Sequence, residues 1–228
     1  SPISRTTTAT RKHITITCGT GTSPNTNTNS SKPWIEALSW SPRAFLYHNF
    51  LSKEEAKHLV ALGEPRVIRS TVVGGDSGRV SDIRTSFGTF IPKRYDKVIE
   101  KIEERCAVFS GIPVVNQEQM QLLRYRDGQK YSDHSDGLIS ENGGKRIATV
   151  LMFLHAPTEG GETSFVLGNP LEKVKERIEG TKDQFSECGY RGGKDLQSSL
   201  KLGTLFCFSV TTKPEFRTII PCTRVAPR

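Results

Sequence analysis

His134 and Asp136, one residue apart in the run Tyr131-Ser132-Asp133-His134-Ser135-Asp136, are the pair in this chain best suited to grip a metal ion. On an extended backbone, residues two apart project to the same side, so an imidazole and a carboxylate at this spacing can share one cation. Together they make two thirds of the 2-His-1-carboxylate set that holds Fe(II) and leaves positions open for a co-substrate and O2. A second histidine has to come from later in the chain. After His134 there is one, His155, just past the apolar run Val150-Leu151-Met152-Phe153-Leu154. A lone histidine there reads more readily as a strand-end or surface residue than as a ligand. Taken singly, His134 also has a plainer reading as a donor to backbone, and Asp136-Gly137 as a turn.

The elements that must position this pair follow from the hydrophobic pattern. Ala37-Leu38-Ser39-Trp40 and Ala44-Phe45-Leu46-Tyr47 read as strands meeting at a Ser41-Pro42 turn. Ser52-Lys53-Glu54-Glu55 is a capping box that opens a helix with Ala56, Leu59 and Val60 on one face and a stop at Gly63. A second helix is expected over about 93–109, with Val98, Ile99, Ile102 and Cys106 at helical spacing and Gly111 beyond its end. From there strands are predicted at 120–125, 130–134, 146–154, 162–166, 200–210 and 217–225. Turns at Asp127-Gly128, Asn142-Gly143-Gly144 and Glu159-Gly160-Gly161 separate them. Residues 171–196 are polar and read as a long excursion. Helices followed by many short strands indicate an α+β fold with a jelly-roll-like sandwich.

Residues 1–32 are rich in Ser, Thr, Asn and Gly without hydrophobic periodicity, and are expected to be a disordered linker or tail. Residues 33–228 then form the folded domain, with order beginning at Pro33-Trp34. No apolar run approaches the roughly 20 residues that span a bilayer, and the stretch from Ser1 contains no apolar h-region, so any targeting segment is expected to have been removed or to lie outside this sequence. The net charge is +8, but Lys and Arg are interspersed with acids, as in Lys97-Val98-Ile99-Glu100-Lys101, so nucleic acid is not an expected partner. The five cysteines include no C-x-x-C or other zinc spacing. Cys106 and Cys207 sit in apolar patterns and read as core residues, while Cys188 and Cys222 have polar surroundings in which they could pair. His13, His48 and His58 show no partner pattern.

Several runs together resemble the plant and algal prolyl 4-hydroxylases, Fe(II)/2-oxoglutarate dioxygenases, over about residues 33–208. The matching stretches are Leu38-Ser39-Trp40-Ser41-Pro42-Arg43-Ala44-Phe45, Tyr47-His48-Asn49-Phe50-Leu51-Ser52 and Arg84-Thr85-Ser86-Phe87-Gly88-Thr89-Phe90. Gly128-Gln129-Lys130-Tyr131, Gly143-Gly144-Lys145-Arg146-Ile147-Ala148-Thr149, Gly160-Gly161-Glu162-Thr163 and Ser186-Glu187-Cys188-Gly189 follow in the same order. The resemblance implies a double-stranded β-helix with N-terminal helices packed on one sheet. It implies His134 and Asp136 as iron ligands, with no catalytic residue beyond the metal ligands, and Tyr125 and Thr163 at the 2-oxoglutarate pocket. It implies that Arg84, Ser86, Gly88, Thr89 and Arg146 shape the peptide groove, under a loop formed by residues 73–82. The implied reaction is 4-hydroxylation of proline in proline-rich or collagen-like peptides, with Fe(II), 2-oxoglutarate and L-ascorbate as cofactors. Residence in the endoplasmic reticulum or secretory pathway is expected from the same resemblance.

The C-terminal stretch departs from that pattern. The family carries a histidine, the third iron ligand, three residues before a cysteine, and a lysine about ten residues further on that pairs with the distal carboxylate of 2-oxoglutarate. With Cys222 aligned to that cysteine, the histidine position is Ile219 and the lysine position falls beyond Arg228. Ligation by His155, replacement of the lysine by Arg217 or Arg224, and a truncated C-terminus are the three ways to reconcile the two. The alternative to the enzyme is an inactive β-helix that binds proline-rich peptides. Little or no hydroxylase activity is expected of this exact chain.

Overall fold

Strand pairing around a short hairpin sets the frame. In the computed structural model, described for residues 32–71, 82–132, 134–137, 139–140, 144–155, 162–165, 168–181, 196–198, 205–209 and 218–219, β1 (Trp34–Ser41) and β2 (Arg43–His48) pair antiparallel across Pro42. Helix α1 (Lys53–Gly63) follows, opened by the expected reciprocal cap: Ser52 Oγ accepts from Glu55 N at 3.1 Å, and Glu55 Oε2 accepts from Ser52 N at 2.9 Å. A single helical turn, Glu64–Arg66, leads to β3 (Ile68–Arg69) and β4 (Phe87–Ile91). Helix α2 (Lys97–Ser110) ends at Gly111, whose φ of 72° is the left-handed C-cap that glycine adopts freely.

Next come β5 (Met120–Arg124), β6 (Ile139–Ser140), β7 (Gly144–Lys145), β8 (Ala148–Met152), β9 (Thr163–Phe165) and β10 (Asn169–Pro170). Helix α3 (Glu172–Gly180), β11 (Leu196–Ser198), β12 (Leu205–Ser209) and β13 (Thr218–Ile219) complete the described chain. The main sheet has the order β10-β1-β2-β12-β8, a second sheet is β11-β9-β13, and a third is β3-β4-β5. Leu38, Ala44 and Leu46 of the main sheet pack with Phe165 of β9 and with Val174 and Ile178 of α3. Leu59 of α1 and Ile99, Ile102 and Cys106 of α2 form the other core cluster, against which Tyr47, Val150, Met152 and Leu122 pack. This is the α+β jelly roll with its N-terminal helices on one sheet.

Several expectations need correction. α2 begins at Lys97, not near Lys93, because Asp96 caps it: one carboxylate oxygen accepts from Val98 N at 2.8 Å and Ile99 N at 2.9 Å. Arg94, just before, has φ 52° and cannot join the helix, and its N–H donates to the buried Glu103 carboxylate at 3.1 Å. The polar stretch after 170 contains α3, whose two buried residues lie among seven polar, charged or glycine positions. Arg177 of α3 meets Glu36 Oε1 at 2.7 Å, and Glu36 Oε2 meets His48 Nε2 at 3.2 Å. Burial pushes the Glu36 carboxyl up, but His48 and Arg177 outweigh it and hold it below its ordinary value. His58 likewise has a carboxylate partner, Asp96, at 2.7 Å.

The strand expected at 130–134 is only an isolated bridge between Arg84 and Tyr131. The Thr85 side chain takes the Lys130 N–H at 2.7 Å, while Ser132 N donates to Ile83 O at 2.7 Å, so the two segments run together without a regular ladder. The 146–154 strand narrows to β8, leaving Arg146 before it. Cys106 is buried as expected. The tail before Lys32, residues 73–81, the Glu159-Gly160-Gly161 turn, Cys188 and Cys222 lie outside the described residues.

Candidate metal centre

The segment that carries the metal-binding pair is coil, yet it brings the two side chains together. His134 Nε2 lies 3.1 Å from Asp136 Oδ1, and both side chains are largely withdrawn from solvent. Two donors bound at right angles, each about 2.1 Å from a metal, are about 3 Å apart, so the spacing suits adjacent ligands. His134 Nδ1 lies 2.8 Å from the Ser132 carbonyl, which can only accept, so Nδ1 carries a proton and Nε2, facing Asp136, is the nitrogen that would give its lone pair to a metal. The imidazole stacks on Tyr131 with centroids 3.5 Å apart and planes 10° apart, and the Arg84 guanidinium lies 4.9 Å above that phenol ring. Burial pushes the Tyr131 hydroxyl up in pKa, with Asp136 adding to the rise and Arg84 opposing it. Tyr131 is thus a neutral wall for the imidazole, a role that its spacing alone does not reveal.

Two further hydroxyls are buried: Thr163 Oγ1, at the start of β9, has no hydrogen-bond partner among the described residues, and Tyr125 Oη, just beyond β5, has only the Ser86 and Arg84 side chains loosely beside it. Buried polar atoms normally have partners, so an orphan flags a place where a polar ligand belongs. Burial raises the Tyr125 pKa more than Ser86 and Arg84 lower it, which keeps the phenol a proton donor.

A family model described as the 2OG-Fe(II) oxygenase superfamily matches residues 120–215, a span that holds Tyr125, His134, Asp136 and Thr163 and stops before Ile219. "Probable prolyl 4-hydroxylase 3" of Arabidopsis thaliana is 45% identical over 165 residues, 70% of this chain and 56% of that protein. "Probable prolyl 4-hydroxylase 10" of the same plant is 44% identical over 179 residues, 76% of this chain and 60% of that protein. Over most of its length the chain is similar to plant prolyl 4-hydroxylases. It spans somewhat over half the length of these relatives. A crystal structure of a Pseudomonas putida prolyl-4-hydroxylase aligns at 15% identity with a TM-score of 0.48, over 84% of this chain and 87% of that one.

Iron and 2-oxoglutarate, the groups that the matching family model names, can be tested against the residues present. The His134–Asp136 pair fits two coordination positions, and the buried Tyr125 and Thr163 hydroxyls fit a carboxylate-bearing co-substrate. Among the described residues no cluster of three His, Cys, Asp or Glu side chains stands ready to hold a metal. His155 is exposed beyond the end of β8 and joins no such cluster, so it does not complete the site. The backbone of Ile219 pairs with Ser164, the residue after Thr163, which sets β13 beside the strand that carries Thr163.

The residues expected to shape a peptide groove divide. Arg146 grips Glu118 with two bonds of 2.6 and 2.8 Å, and Arg84 reaches Gln121 Oε1 at 3.1 Å. Ser86 is fully buried and donates to Ser70 Oγ at 3.0 Å, so its hydroxyl offers nothing to a surface peptide. Gly88 serves the sheet: a Cβ there would stand 2.8 Å from the Leu122 carbonyl. Thr89 pairs with Leu122 and shares its helix-facing side, opposite to Gly88. Phe90, 58% exposed, lies on the Gly88 side. The partner of Arg146, Glu118, was not legible, being 28 residues away.

Proposed function

We propose that this domain receives a proline-rich or collagen-like peptide beside an Fe(II)/2-oxoglutarate site of the prolyl 4-hydroxylase type. The observation that carries the reading is the 3.1 Å His134–Asp136 pair with Nδ1 already committed to Ser132. His134 and Asp136 would hold Fe(II), while Tyr125 and Thr163 would donate hydrogen bonds to 2-oxoglutarate. When bound, these cofactors supply the oxidation: one oxygen atom of O2 goes to the proline ring and the other to succinate, with loss of CO2. The protein's own work is placement. Tyr131 fixes the imidazole plane, Ser132 fixes its proton, and burial keeps the Tyr125 phenol protonated. Arg84, within the bridged 83–85 segment, and Arg146, two residues before β8, would offer the guanidinium N–H groups left over from their Gln121 and Glu118 contacts to the carbonyls of an extended peptide. A polyproline II substrate is pre-extended and loses little entropy on docking. L-ascorbate as the reductant that rescues oxidised iron, and residence in the secretory pathway, belong to the same proposal.

A second reading is favoured by one observation. Ile219 is paired into the second sheet at the position where the family's distal histidine is expected, and its hydrocarbon cannot ligate iron. On this reading the domain binds proline-rich peptides and hydroxylates little or nothing. Anaerobic calorimetry with Fe(II) and 2-oxoglutarate on the parent chain, His134→Ala and His155→Ala separates the two. Tight binding lost in His134→Ala alone, with succinate release coupled to a mass gain of one oxygen in the peptide, establishes the enzyme. Weak iron binding in all three variants, with retained affinity for a proline-rich peptide, establishes the binding module. Tight binding lost equally in His155→Ala refutes the site as drawn.

A further inference from the structure

Arg69, Phe87 and Arg124 form one lateral row across β3, β4 and β5, because Phe87 is the register partner of both arginines. Arg126, two residues beyond Arg124, completes the group. The guanidinium carbons of Arg69, Arg124 and Arg126 lie 5.8, 5.9 and 5.7 Å from the centroid of the single Phe87 ring. Alternation along the strands puts this cluster on the face opposite Gly88 and Leu123, and so away from Tyr125. It is a site separate from the metal centre.

Three like charges around one ring repel each other, and a ring quadrupole offsets only part of that. The acidic compensation is thin. Glu64, itself 63% exposed, stands 3.7 Å from Arg124 Nη1, beyond hydrogen-bond distance. Asp127, the residue after Arg126, is exposed and forms no ion pair among the described residues. Arg69 donates to the Thr85 carbonyl at 2.6 Å, which satisfies an N–H but brings no negative charge. Arg124 Nε is buried with no hydrogen-bond partner, an ionised donor left without an acceptor among the described residues. Guanidinium groups held over a ring keep their in-plane N–H edges available to a ligand.

The geometry points to an anion site on the Phe87 row that takes a phosphate-class oxyanion, whether free phosphate or a phosphate monoester. Among the described residues, three arginines against one glutamate leave a surplus of two positive charges. A phosphate monoester carries about −1.5 to −2 at neutral pH, and its several oxygens can accept from more than one guanidinium fork at once. A lone carboxylate matches neither the charge nor the number of donors as well.

The test is calorimetric titration of the metal-free full chain with inorganic phosphate, and separately with phosphoserine, against sodium chloride at matched ionic strength. Saturable binding to one site is expected, weakened about tenfold in Arg126→Ala and in Arg124→Gln by loss of a charge-assisted contact. Arg126 is exposed, so its variant tests the site even if Arg124→Gln folds poorly. Arg66→Ala, which removes a cation stacked on Tyr95 instead, and Thr163→Val, in the 2-oxoglutarate pocket, should both bind as the parent does. Tighter phosphoserine than phosphate assigns the site to esters, and equal affinity assigns it to the free ion. Heat no greater than that of matched chloride, undiminished binding in Arg126→Ala, or binding lost in Thr163→Val overturns the proposal.

Discussion

Thr163→Val should stabilise the cofactor-free domain and weaken its hold on 2-oxoglutarate. Thr163 is 0% exposed and its Oγ1 has no hydrogen-bond partner among the described residues. A buried hydroxyl without a partner costs about 1–3 kcal/mol. Valine keeps the β-branched shape, and with it the packing at the start of β9, while removing the polar atom. Stability in the absence of cofactor should therefore rise by about 1 kcal/mol. For a domain of this size that is a gain of about 2–4 °C in Tm. The hydroxyl's contact to the bound co-substrate is lost at the same time, and 2-oxoglutarate affinity should fall about tenfold. Opposite signs are the diagnostic: a hydroxyl with an ordinary structural partner would lose stability on substitution. Urea unfolding of metal-free protein gives the first quantity, provided the m-value is unchanged, and anaerobic calorimetry gives the second. A stability loss would mean that Oγ1 is partnered in the folded chain, and an unchanged 2-oxoglutarate affinity would remove Thr163 from the pocket. Tyr125→Phe should likewise weaken 2-oxoglutarate, but with a smaller gain in stability, because the Ser86 and Arg84 side chains already interact with its hydroxyl.

Three other perturbations probe the frame and the missing ligand. Ile219→His supplies an imidazole where the family carries its distal iron ligand, and Fe(II) affinity should rise by at least about 100-fold, more than outer partners of metal ligands contribute; calorimetry showing no gain would mean that β13 does not deliver this position to the metal. Asp96→Ala should cost about 1–2 kcal/mol at neutral pH, since it removes the α2 cap and the His58 contact. The Ile99 N–H is the main cause holding the Asp96 carboxyl below 3.8, so its contribution is present above that value and lost as pH falls through the lower folded value. Denaturation at pH 7 and pH 3 should show the variant's deficit shrinking in acid. Burial holds the Glu103 carboxyl above 4.5 despite the Arg94 N–H, so its favourable contribution is complete below 4.5 and is lost as pH rises through the raised folded value. Glu103→Gln should thus gain on the parent between pH 4 and pH 7 in urea titrations, and a growing deficit would contradict that sign.

What the sequence revealed and what it concealed divide by range. The Ser52–Glu55 capping box was legible because donor and acceptor sit three residues apart, and the hairpin of β1 and β2 because its turn is the two residues Ser41 and Pro42. The start of α2 was not, because the left-handed Arg94 depends on Glu103, nine residues ahead. Strand β4 was obscured by Gly88, whose reason is the Leu122 carbonyl of a neighbouring strand. Helix α3 was read as an excursion because two buried residues suffice to dock it, too few to show as a stripe.

The candidate site obeys the same rule. His134 and Asp136 were found by their spacing although the reason given, an extended strand, does not hold: coil on a short bridged segment sets their 3.1 Å approach. Chemistry was legible there because it depends on residue type, and placement was not because it depends on Tyr131 and Ser132 holding one ring in plane and tautomer. Thr163 and Ile219 belong to the second sheet, where Thr163 begins β9 and Ile219 pairs with the next residue, 55 positions along the chain. A local motif cannot report whether a ligand so distant in sequence is present. Metal affinity measured with and without Ile219→His is therefore the quantity that tests whether β13 and the His134–Asp136 segment act as one metal centre.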